Sequence, residues 1–211
     1  MIQIHDDNDN NGVVSATSTT TPTPYLIAST RFNTDTYKAN QEYRQRYQIP
    51  AIYSNAIPIS EKYPPNATTF VIEMNNTTNQ IEGIGKIRNQ PHYREMKRIY
   101  GDVRHAEYNA YIYKGTRWVS AKTIQDNDPN LLTIFNHLLF KKKTHMKRQA
   151  GISIITHALL KNWMPKEPDV VIHKGMKKIL KRIIKVFAKS QGQKSQKQTS
   201  QEPKQKTHHH S

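Results

Sequence analysis

Seven cationic side chains stand between Lys174 and Lys189, with no acidic residue among them: Lys174, Lys177, Lys178, Lys181, Arg182, Lys185 and Lys189. A second group, Lys141, Lys142, Lys143, Lys147 and Arg148, lies upstream in KKKTHMKR. The chemistry such groups do well is neutralisation of phosphates. Duplex nucleic acid carries one negative charge about every 1.7 Å of its axis. An α-helix rises about 1.5 Å per residue, so lysines along one helix reach several phosphates. About six such contacts give a log-log salt slope near −5. They position a protein on the polymer and read little of its sequence.

The bulk charge agrees. The 211 residues carry a formal net charge of +16. Residues 1 to 129 hold 14 Lys/Arg against 13 Asp/Glu, and residues 130 to 211 hold 18 against 3. Positive charge gathered in one part of a chain repels itself unless a polyanion offsets it. The partner implied is nucleic acid, DNA or RNA. A membrane or assembly surface is the alternative, because basic amphipathic helices also bind anionic lipid.

Catalysis has less to build on. The absence of cysteine removes thiolate ligands, thiol nucleophiles and disulfides. His137 and His145 are eight apart rather than the four of a helical metal pair, and His157 is farther on. Glu73, Glu82, Glu95, Asp102 and Glu107 are the acids of the central region. A magnesium nuclease would need two or three of them to converge, and Glu73 and Glu82 are the pair that paired strands could bring together. No serine elbow, phosphate loop or kinase signature is present. The chain reads as a non-enzymatic binding protein with no cofactor and no metal.

The elements that must position these groups are partly visible. Residues 1 to 24 end in SATSTTTPTP and have the composition of a disordered leader. MIQIHDDNDNN is polar and acidic, unlike a secretory signal, and no apolar run nears the roughly 18 residues of a membrane span. Tyr25 to Thr30 reads as a strand and Thr36 to Gln48 as a charged helix stopped by Pro50. In TTFVIEMNNTTNQIEGIGKIRN, Thr68 to Asn89, apolar alternation, a polar turn and a second apolar run predict a β-hairpin. Gly83 and Gly85 fall on one face of its second strand, where glycine marks a bulge, a close approach or a ligand floor. A second hairpin is expected at Glu107 to Ala121, turning at Lys114-Gly115, with Tyr111 and Tyr113 on one face. Tyrosines there serve either as half-buried strand residues or as stacking platforms for bases. Asp128 and Pro129 open a helix whose Leu131, Phe135, Leu138 and Leu139 are core.

The basic stretch carries an apolar stripe of its own: Met176, Ile179, Leu180, Ile183, Ile184 and Phe187 recur at helical spacing. An isolated helix of this length is marginal in water, so something must cover the stripe. The domain's own core, a bilayer interface and a partner groove are the three candidates. After Lys189 the chain turns to QGQKSQKQTSQEPKQKT, a low-complexity basic tail.

The order in FVIEMNNTTNQIEGIGKIRN, with PYLIASTRFN before it and YKGTRWV after it, resembles PUA-like domains of the EVE and ASCH types. It is also similar to uncharacterised proteins of large nucleocytoplasmic DNA viruses, as is the Asn-, Lys- and Ile-rich usage. The resemblance implies an α+β fold built on a small, partly closed β-barrel that binds RNA or a modified base in a cleft. Gly83 and Gly85 would be its floor and Trp118 a stacking wall, with Tyr111, Tyr113 and Arg117 beside them. The expected organisation is a leader over 1–24, a PUA-like domain over 25–164, a basic amphipathic helix over 165–190 and a disordered basic tail over 191–211. A viral origin would place the protein in the nucleus or cytoplasm of a host cell, or in the virion.

Overall fold

A computed structural model describes residues 24–92, 99–100, 109–141, 151–163 and 169–199, with 162–163, 169–173 and 192–199 described by their backbone alone. The fold is α+β, a curled six-stranded sheet with flanking helices. The strands are β1 (Tyr25–Phe32), β2 (Ala51–Asn55), β3 (Thr68–Asn75), β4 (Gln80–Arg88), β5 (Tyr111–Ser120) and β6 (Ser153–Ile154). Their order is β2-β5-β4-β3-β1-β6. β1 and β3 are parallel, and the other neighbours are antiparallel. Helix α1 (Thr34–Tyr47) joins β1 to β2. Helices α2 (Ala121–Asn127), α3 (Pro129–Phe140), α4 (His157–Trp163) and α5 (Asp169–Thr199) follow β5. No described helix is long and apolar enough to cross a membrane.

The sheet curls until its two edges meet. Asn55, at the end of edge strand β2, accepts a hydrogen bond from the backbone N–H of Ile152, next to the opposite edge strand β6, at 2.7 Å. Residues of both edges, Ala51, Tyr53 and Ile152, share one buried cluster with Ala28, Phe32, Val71, Ile87 and Tyr113. That cluster is the concave side of a partly closed barrel. Gly151 makes the seam possible. Its φ of +63° is left-handed, and a Cβ there would lie 2.6 Å from Asn55 Cγ.

The convex side packs on helices. Ile27, Phe70, Ile72, Ile84 and Val119 meet Leu131, Phe135, Leu138 and Leu139 of α3, all buried. Asp128 caps α3 by accepting from the Leu131 N–H at 3.2 Å, and Pro129 occupies the first turn, where its missing N–H costs nothing. The apolar stripe of α5 completes this core. Met176, Ile179, Leu180, Ile183, Val186 and Phe187 are buried, and the Phe187 ring lies 5.2 Å from that of Phe70. Val186 is buried where the sequence pattern put Ile184, which is only half-buried. Of the three candidate covers for the stripe, the domain's own core is the one found. Ile183 and Phe187 are thus not on offer to a bilayer. α5 also continues to Thr199, beyond the expected change to tail at 191.

The hairpin over 68–89 is β3 and β4, but it carries a bulge. Glu73 pairs with Gly83 and Met74 with Ile81, leaving Glu82 as the extra residue. The second expected hairpin does not form. Lys114-Gly115 is not a turn but lies inside the continuous strand β5. Gly115 is needed because Ala51 crosses close by: a Cβ at 115 would sit 2.6 Å from that of Ala51. The register also shifts between Lys86 and Ile87, leaving Thr116 unpaired as a bulge. The bulge resets the alternation, so Tyr113 and Trp118 face the concave side while Arg117 faces the helices.

Gly151→Ala should lower the stability by about 1–3 kcal/mol, from the left-handed backbone and the collision with Asn55. Thermal unfolding checks this, and a melting temperature within a degree of wild type would refute the seam.

Candidate nucleic-acid interface

At the centre of the concave side lies one carboxylate. Glu73 is wholly buried on β3 and accepts from three elements at once. The Tyr53 hydroxyl of β2 donates to its Oε1 at 2.6 Å, and the Trp118 indole N–H of β5 donates to its Oε2 at 2.9 Å. Arg44 of α1 donates from Nη1 to Oε1 at 3.3 Å. The Arg44 guanidinium also lies over the Trp118 ring, 4.6 Å from its centroid, and donates to the Pro50 carbonyl. Burial pushes the Glu73 carboxyl above its ordinary value, opposed by the Arg44 charge and the two donors. Burial likewise raises Tyr53, and the Glu73 charge adds to that.

Gly83 and Gly85 serve this cluster. A Cβ on Gly83 would lie 2.7 Å from the Trp118 ring, and one on Gly85 would lie 2.8 Å from Tyr53 Cζ. The floor expected for a ligand is therefore filled by the two side chains that bond Glu73. Trp118 is not an open stacking wall but a donor fixed between Glu73 and Arg44. Tyr113 is fully buried and accepts from the Ile59 N–H at 2.8 Å, while Tyr111 is half-buried against the same cluster. Arg117 leaves the group altogether. It donates to the Phe187 carbonyl and to Ser190 Oγ of α5, with its guanidinium 5.2 Å from the Phe187 ring centroid. Glu82, bulged out of register, accepts from Asn75 at 2.9 Å. Among the described residues no three His, Asp or Glu side chains gather as a metal site.

The cations sit on the other side of the sheet. Lys174, Lys178, Lys181, Lys185 and Lys189 of α5 are all exposed. At about 100° per residue these five fall within an arc of about 80°, opposite the buried stripe, along about 22 Å of helix. None of the ion pairs found among the described residues involves them. Lys177 is half-buried at the flank of this ridge. Arg182 is not part of it. Its Nε donates to Asp128 Oδ2 at 2.7 Å and its Nη2 to Asp128 Oδ1, a fork that holds the Asp128 carboxyl below the usual carboxylate range. Arg182 thus fastens α5 to the start of α3. Lys141 is exposed at the end of α3, and Lys142, Lys143, Lys147 and Arg148 lie outside the described residues.

No protein-family model and no curated protein matches the chain. Among solved structures it is similar to the YTH domain of the Zygosaccharomyces rouxii MRB1 protein, determined in complex with N6-methyladenosine RNA. The identity is 10% over 68% of this chain and 85% of that one, with a TM-score of 0.28. A likeness this slight carries no argument about function. The resemblance to viral proteins finds no support in these comparisons.

The sequence reading missed Arg44 as a core residue and Glu73 as its partner. Asn40, Tyr43 and Arg44 are the buried residues of α1, and two of the three are polar. A hydrophobic pattern is blind to such a face. Glu73→Ala should cost about 3–5 kcal/mol, because it leaves the buried Arg44, Tyr53 and Trp118 donors without their acceptor. The folded state holds the Glu73 proton more tightly than the unfolded chain. Stability is therefore full below about pH 4.3 and declines as pH rises toward the raised folded value. Urea unfolding over pH 4 to 8 should show that slope in the wild type and not in Glu73→Gln.

Proposed function

We propose that this protein binds nucleic acid, holding phosphates with the lysine ridge of α5, and that it acts as a binding protein rather than as a catalyst. The observation that supports this is the ridge itself: five exposed lysines in line on a helix whose opposite face is locked into the core. A rigidly held row of ammonium groups offers its charges at little further ordering cost. No carboxylate on α5 beyond Asp169 at its first residue offsets them. Among the described residues Trp118 and Tyr53 occupy the space over the two glycines, so this reading assigns no base to that position. Glu73, spent on Arg44, Tyr53 and Trp118, has the place of a structural carboxylate. The alternative of lipid insertion needs the stripe that the core covers.

Affinity for labelled duplex and single-stranded oligonucleotides, measured by anisotropy, should fall steeply between 50 and 200 mM salt. Replacing Lys178, Lys181 and Lys185 by Gln should reduce the log-log slope by about 2–3 without changing the melting temperature. Salt-independent binding, or an unchanged slope in the triple variant, would refute the ridge as the grip.

A further inference from the structure

We infer that the cleft between the β3–β4 turn and helices α2 and α3 holds one unpaired nucleobase of a bound strand, a reading that rests on the nucleic-acid function proposed above. The cleft has a volume of about 630 Å³, within the range of small-ligand sites. Ile81, Leu132 and Phe140 make an apolar floor, Ile81 buried and the other two half-buried. The bulge at Glu82 sets this floor, because it turns Ile81 to the same side as Ile84. A flat, weakly hydrated ring is the ligand such a floor suits, and the half-buried Phe140 ring is a stacking partner for it.

The rim has matching chemistry. Gln80, Gln125 and Asn136 reach the cleft from three different elements. Each amide carries both donors and an acceptor, the combination that base edges present. Lys122 and Lys141 stand on the rim and are exposed. Lys122 pairs with Asp126 at 3.3 Å, an exposed i,i+4 contact of the weak kind that a phosphate can displace. Lys141 is also the first residue of the basic run Lys141 to Arg148. Phosphates flanking a seated base would thus find charge on the rim. A base inside a duplex is stacked and paired on both sides and cannot enter, so the cleft favours single strands.

The test uses the full chain with short RNA, DNA and duplex DNA oligonucleotides and with free mononucleotides. Gln125→Trp places a ring at an exposed position of α2 and closes the cleft without touching the core. Gln125→Trp and Phe140→Ala are each expected to lower single-strand affinity about tenfold while leaving duplex affinity unchanged. Mononucleotides should perturb the amide resonances of Gln125 and Asn136 in the wild type. The RNA and DNA arms show which sugar the site prefers. Equal loss for single strands and duplex, or no loss in the Gln125→Trp protein with an unchanged melting temperature, overturns the cleft and leaves the ridge standing. If no oligonucleotide binds the wild type, both readings fall.

Discussion

The curled sheet depends on the Glu73 carboxylate. A carboxylate enclosed by protein is costly unless every lone pair is used. Here the donors come from β2, β5 and α1, so satisfying one group fixes three elements around β3. Arg44 brings the compensating charge and the aromatic contact with Trp118, and it ties the α1–β2 connection through the Pro50 carbonyl. Gly83 and Gly85 are glycines because Trp118 and Tyr53 must cross β4 to reach the same carboxylate. One buried charge thus accounts for these residues of β4, β5 and β2, all on the same side of β3.

The elements that bury hydrocarbon in a regular rhythm were legible. The hairpin over 68–89, the α3 core positions and the α5 stripe all follow from spacing, and the Asp128-Pro129 cap marks the start of α3. What escaped was polar or irregular. The buried residues of α1 are Asn40, Tyr43 and Arg44, and their two polar members look solvent-facing until a carboxylate stands opposite. Gly115 carries the composition of a turn, and only the crossing of Ala51 shows that it belongs to a strand. Thr116 shifts the alternation by one, which puts Trp118 rather than Arg117 on the side of Tyr113. Adjacent residues in a sequence give no sign of that. Gly83 and Gly85 show the same limit: glycine reports that something comes close, not whether it is a ligand or a neighbouring ring.

The buried charge and the exposed cations are divided between the two sides of the sheet. The concave side is closed around its ion pair. The convex side carries α3 and α5, with the lysine ridge and the open cleft beside α2 and α3. Arg182 shows how sharply the α5 surface is sorted, for it lies among the lysines in sequence yet is spent on Asp128. Counting cations overstates the number that face solvent unpaired; their direction on the helix decides.

The bulge in β5 has a mechanical result. Trp118 is tethered to the carboxylate inside the barrel, and its neighbour Arg117 grips the backbone of α5 at Phe187. A single peptide link therefore spans the sheet like a rivet. The contact that holds the outer helix and the one that holds the buried carboxylate thus meet at adjacent residues of β5.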